Sequence, residues 1–222
     1  MFGYQIETDT FPEIKAEGVK KYQEIVGVPR WSVELGRVGI IPKTALISTY
    51  LDLSCRVHLK QVFHVFRYLK ANLKINIFFD PQHITTNERL LSAYNWYDFY
   101  RDSKEAIPAD SPTPMVNVVS THCFVDADHA RNRDTRISQT GVLIFVNKAP
   151  ILYYIKRQNT VDNRMFLSKS IDINTATELD ETLRYKLRMF GIPIEGPSNM
   201  FYDNASVYKN VLTPELTLMK RM

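Results

Sequence analysis

The sequence predicts an α+β or α/β fold, a helical N-terminal region followed by a mixed sheet with helices. Apolar residues recur every three or four positions between about Glu17 and Asn72, the period of helices buried on one face. Beyond residue 115 the period changes to two in three successive segments, then returns to the helical period over Phe166 to Phe190. At 222 residues with 45% apolar content, the chain is long enough to bury a core.

Tyr22, Ile25 and Val26 begin one apolar stripe, and Leu59, Val62, Phe63, Phe66 and Leu69 form a second. Pro29 falls inside the first stripe, where it removes a backbone bond and clashes with the preceding turn at a cost of about 3 kcal/mol, so a kink or break is expected near Gly27. Pro42 is placed to open a short helix through Thr44 to Leu51. Lys74 to Asp80 alternates like a strand. The residues that follow lack sustained periodicity and end in a proline-rich stretch, Ala106 to Pro114; their aromatic residues Trp96, Tyr97, Phe99 and Tyr100 suit packing of a loop onto a domain better than base stacking.

Val116 to Asp126, Gly141 to Asn147 and Ile151 to Arg157 read as strands, the last two joined around Lys148, Ala149 and Pro150. Sequential strands of this kind favour antiparallel pairing. The helix from Phe166 carries Leu179, Leu183 and Leu187 on one face and stops at Gly191, before Pro193. Asn199 to Asp203 reads as a fourth strand and Asn204 to Val211 as a short helix. The expected organisation is therefore a helical region over residues 1–80, an irregular linker over 81–115, and a sheet-bearing domain over 116–222.

The net charge of +4 is unevenly placed. Residues 1–76 hold eleven Lys and Arg against seven Asp and Glu, while the remainder balances at seventeen of each. A basic N-terminal half suits phosphate contact, with Arg30, Arg37, Lys60, Arg67 and Lys70 as candidates, although a solvated helical surface has the same composition. The absence of a signal-like opening segment or a membrane-length apolar run predicts an intracellular protein, cytoplasmic or nuclear, without membrane contact. Cys55 and Cys123 have neither zinc-site spacing nor the density of a disulfide scaffold, and are expected as reduced thiols, Cys123 buried in a strand. His58, His64 and His122 carry no ligand spacing, and His129 could at most touch a phosphate.

Two segments carry chemistry. Phe124-Val125-Asp126-Ala127-Asp128-His129-Ala130 and Phe201-Tyr202-Asp203-Asn204-Ala205-Ser206 each lift an aspartate out of an apolar strand, with the long helix between them. Alternation puts Asp126 and Asp128 on one strand face, and Asp203 joins them if its strand is the neighbour. Carboxylates converging from different elements are what two-metal phosphodiester hydrolysis needs, because divalent ions must activate water and steady the leaving oxygen.

Asp126 to Asn147, Lys156 to Val161, Leu183 to Pro197 and Tyr202 to Ser206 resemble the ribonuclease H portion of copia-type retrotransposon polyproteins, most tellingly in Leu183-Arg184-Tyr185-Lys186-Leu187-Arg188-Met189-Phe190-Gly191-Ile192-Pro193. Tyr22 to Gly36 and His58 to Lys70 resemble the segment that joins the reverse-transcriptase palm to it. The resemblance implies an incomplete ribonuclease H-like mixed sheet, with Asp126 and Asp203 as catalytic aspartates, Asp128 as a further metal candidate, Mg²⁺ or Mn²⁺ as the cofactor, and an RNA/DNA hybrid or other nucleic acid as partner beside the rest of a retroelement polyprotein.

The departures are specific. The family's helical Ser-Glu pair falls on Ser168-Lys169, with Asp172 one turn further on and Glu178 more than two; the glycine usual after Asp-His-Ala is Arg131. The family's final acidic ligand, its last strand and helix, and the palm's paired aspartates have no counterpart in these 222 residues. An ammonium at Lys169 could stand among the aspartates in place of a metal charge, or turn to solvent. The resemblance thus implies a degenerate, catalytically inactive module. Residual metal-dependent cleavage of RNA in hybrids, and nucleic-acid binding through the basic helical half alone, are the alternatives.

Overall fold

The computed structural model describes residues 15–52, 54–75, 77–84, 105, 107, 109–128, 138–158 and 165–203, the side chains of 127, 128 and 165–169 excepted. The chain divides into two compact units: Met1–Phe78 with Ala130–Gln139 and Ile155–Val161, and Phe79–His129 with Thr140–Tyr154 and Asp162–Met222.

In the first unit α1 (Ala16–Glu34) buries Tyr22, Val26, Pro29 and Val33, one face at spacings of four and three. The helix runs unbroken through Gly27 and Pro29, so the expected break does not occur. Pro29 is fully buried, and the apolar area it removes from water offsets the lost backbone bond. Gly36 ends α1 at φ +95°, a left-handed conformation that glycine adopts without a Cβ penalty. Its N–H donates to the Val33 carbonyl at 2.9 Å and the Arg37 N–H to the Ser32 carbonyl at 3.0 Å, a Schellman cap.

A 3₁₀ turn (Val38–Ile40) leads into α2 (Ile41–Ser48), opened by Pro42 as expected. The Tyr22 hydroxyl donates to the Ile47 carbonyl at 2.7 Å and joins α1 to α2, and burial pushes this phenol far above its usual range. The third helix, α3 (Arg56–Ala71), begins with a reciprocal capping box, in which His58 Nδ1 accepts the Cys55 N–H at 3.0 Å. His58 also stacks on Tyr50 at 4.0 Å and is buried, a structural histidine. No strand forms among the described residues of 74–80.

The second architectural element is a four-stranded mixed sheet in the order β3-β2-β1-β4, built from β1 (Thr121–Asp128), β2 (Gln139–Val146), β3 (Ala149–Arg157) and β4 (Asn199–Tyr202). The protein is therefore α+β. The two-residue turn Asn147-Lys148, with Asn147 at φ +53°, makes β2 and β3 an antiparallel hairpin. Ser120 lies beside Asn147 and Asp126 beside Gly141, so β1 and β2 are antiparallel too. Pro150 is tolerated because β3 is an edge strand. By contrast β1 and β4 are parallel, in a register that pairs His122 with Asn199 and Val125 with Tyr202. A parallel return needs a long crossover, and α4 (Met165–Met189) lies within it and packs on β1.

The first strand starts five residues later than alternation suggests. Met115 and Val119 donate to the carbonyls of Gly191 and Pro193 at 3.0 Å each, so this stretch runs along the chain that leaves α4 and not in the sheet proper. Gly191 ends α4 as expected, at φ +71°, with a second Schellman cap: its N–H donates to Arg188 at 2.8 Å and that of Ile192 to Leu187 at 3.0 Å.

Cys123 and Val125 of β1, Val142 and Ile144 of β2, and Ala176 and Leu183 of α4 form the core between helix and sheet. Cys55 and Cys123 are buried free thiols. No described helix is long and apolar enough to cross a membrane. The expected helix Asn204 to Val211 and the aromatic residues Trp96, Tyr97, Phe99 and Tyr100 lie outside the described residues.

Candidate functional site

Strand alternation places Cys123 and Val125 on the face that packs against α4, and His122, Phe124 and Asp126 on the opposite face. Phe124 stacks on Phe201 across the parallel pair at 4.7 Å, and His122 on Phe201 at 6.3 Å, which holds β1 and β4 in register. The register that sets Val125 beside Tyr202 brings the next residues of each strand, Asp126 and Asp203, to neighbouring positions. Both carboxylate residues are exposed.

Upstream, the strands are fixed by a buried arginine. Arg184 of α4 donates to Thr121 Oγ1 of β1 at 2.8 Å, to Ser198 Oγ just before β4 at 3.1 Å, and to the Gly196 carbonyl at 2.8 Å. Glu105 accepts from both Arg184, at 2.6 Å, and Arg188, and the Arg188 hydrogen bond, with help from Arg184, holds its carboxyl at about 2 despite partial burial. Asp180 accepts a hydrogen bond from Ser198, while burial raises its pKa. Burial, with Asp180 nearby, pushes the Cys123 thiol up to about 12.

A third carboxylate comes from α4. Asp172 is fully buried, and one of its oxygens accepts the Thr140 hydroxyl of β2. Its charge, with those of Asp203 and Asp126, acts on the Tyr202 phenol, whose pKa is raised by burial first and by these three aspartates next. Asp126 and Asp203 lie at neighbouring strand positions, and Asp172 reaches the sheet from α4 through Thr140. Asp172 lies one turn beyond the helix position where the resemblance expects glutamate, and its pairing with the buried Thr140 of β2 has no linear signal.

This arrangement does not make a metal site from the described residues. Among them no three His, Cys, Asp or Glu side chains converge closely enough to hold an ion. Asp172 is engaged by Thr140 and bonds helix to sheet. The backbone of Asp128 continues β1 and that of Lys169 lies in the first turns of α4, but both side chains are outside the description, as are His129 and Arg131.

A polar cluster lies at the opposite end of the sheet. His122 Nε2 is 3.0 Å from Ser120 Oγ and His83 Nδ1 is 3.4 Å from it. Asn199 Nδ2 lies 3.5 Å from His122 Nδ1, and the Ser120 hydroxyl also donates to Asn147 Oδ1 at 3.3 Å. Burial and the neighbouring His83 lower the His122 pKa.

Of the cationic candidates, Arg30 is exposed on α1, and Lys60, Arg67 and Lys70 are exposed on α3. Arg37 has another task. Its guanidinium donates to the carbonyls of Asn72 at 3.0 Å, Leu73 at 2.7 Å and Ile75 at 2.8 Å, closing the turn after α3.

In comparison with known proteins, no family model, no curated protein and no solved structure matches this chain.

Proposed function

We propose that the sheet-bearing part of the chain is a ribonuclease H-like module of the kind found in copia-type retrotransposon polyproteins, and that it no longer cleaves RNA. The observation that carries the reading is topological: three antiparallel-linked strands, a crossover that contains α4, and a fourth strand parallel to the first in the order β3-β2-β1-β4, with Asp126 and Asp203 adjacent on the parallel pair. That order delivers aspartates from two strands to one place, as a nuclease of this type requires. The resemblance of Leu183 to Pro197 and of Tyr202 to Ser206 supports the same reading.

Loss of catalysis follows from the helix. The position where the resemblance expects glutamate is Lys169, and the nearest helical acid, Asp172, is buried and bonded to Thr140. Among the described residues the exposed aspartates of the site are Asp126 and Asp203, too few to fix a pair of divalent ions.

The test is cleavage of a labelled RNA/DNA hybrid by the folded chain in Mg²⁺ and in Mn²⁺. No cleavage in either metal is expected. Metal-dependent cleavage that disappears in Asp126→Asn would show that another group replaces the glutamate and would overturn the inactive reading.

A further inference from the structure

The helix α3 contains no acidic residue, and the chain has none between Asp52 and Asp80. Its buried face is His58, Val62 and Val65, which leaves Arg56, Lys60, Phe63, His64, Arg67 and Lys70 exposed. These recur at spacings of three and four, so they lie along one side of the helix. From Arg56 to Lys70 the stripe runs about 21 Å at 1.5 Å per residue. Among the described residues none of its four Lys and Arg is in an ion pair, although carboxylates elsewhere in the chain pair with Lys148, Arg184 and Arg188.

We infer that the exposed side of α3 is a binding surface for the phosphodiester backbone of a nucleic-acid duplex, through Arg56, Lys60, Arg67 and Lys70. A line of unpaired cations without interspersed acids matches a polymer that carries a negative charge about every 1.7 Å of its axis. An anionic membrane fits less well, because the apolar side of α3 is turned into the helical unit, with Val62 at 0% and Val65 at 2% exposure, and only Phe63 accompanies the cations at the surface. The assignment differs from a simple count of basic residues. Arg56 joins the surface; Arg37, held by three carbonyls, leaves it. It is independent of the ribonuclease H reading, since α3 belongs to the other unit.

Counterion release makes the proposal quantitative. Four phosphate contacts give a slope of about −3.6 in log K against log salt on B-form DNA, a loss of about 150-fold between 50 and 200 mM. The experiment is fluorescence anisotropy of the full chain with a labelled 20-bp DNA duplex across that range, beside sedimentation with phosphatidylserine vesicles. The variant is Arg56→Gln/Lys60→Gln/Arg67→Gln/Lys70→Gln, which keeps residues of good helix propensity and is checked by circular dichroism. Each single Gln substitution is expected to flatten the slope by about 0.9, and the quadruple variant to abolish the salt-dependent binding. Lys20→Gln/Lys21→Gln on α1 is expected to leave the slope unchanged. No duplex binding at low salt, an unaltered slope in the folded quadruple variant, an equal loss in the α1 variant, or binding to vesicles in place of duplex would each overturn the proposal.

Discussion

Lys169 and Asp172 lie three residues apart on α4, close to one turn. Asp172 is drawn inward because Thr140 offers it a hydroxyl in the core, and a buried carboxylate with a donor is far less costly than one without. Lys169 brings a positive charge to the helix position where the resemblance expects a metal ligand. Lys169→Glu exchanges that charge for a carboxylate, so isothermal titration with Mn²⁺ is expected to show binding at least about tenfold tighter than in the parent chain. Unchanged weak binding would mean that Lys169 does not block the site. Aspartates at strand ends are legible in the sequence because alternation and chain order suffice; the Thr140 partnership joins residues thirty-two positions apart and is not.

At the scale of elements, the punctuation is local and the pairing is not. Gly36 and Gly191 both end helices in Schellman caps, and the second was readable as a glycine followed two residues on by proline. The unbroken passage of α1 through Pro29 was not readable, since it depends on what Pro29 packs against. Nor was the capping box of α3, which uses Cys55 and His58 where serine or threonine and glutamate are the usual signal. Arg37 connects two elements: the glycine cap of α1 directs the chain so that its guanidinium reaches three carbonyls beyond α3. Arg37→Ala is expected to destabilise the helical unit by roughly 1.5 kcal/mol in urea unfolding, the lower end for bonds from a charged donor because two of the three are exposed. Arg37→Lys should recover little of this, because an ammonium lacks the planar fork.

At the scale of the whole molecule, Glu105 makes a polar link across seventy-nine residues to Arg184 and eighty-three to Arg188. Because its carboxyl is held at about 2 in the folded chain against an ordinary value of 4.5, it contributes stability above that ordinary value and loses it as pH falls toward 2. Asp180 acts in the opposite sense, since burial raises its pKa and favours the neutral acid. Comparing melting temperatures of the parent chain and Glu105→Gln isolates the first effect: the parent should lose more stability between about pH 4.5 and about pH 2, and the variant should have a flatter profile there. Equal profiles would show that the two arginines do not depend on Glu105.

The sequence by itself determined the helical first half, the β2–β3 hairpin, the long helix with its glycine stop, and the fourth strand, because periodicity and cap residues act over a few positions. Only the tertiary structure decided that β4 lies parallel beside β1, that residues 115–119 follow the exit from α4, that Arg37 closes a turn, and that Asp172 turns inward to Thr140. Those outcomes depend on which buried polar groups find partners across the fold, and desolvation settles that only when the elements come together.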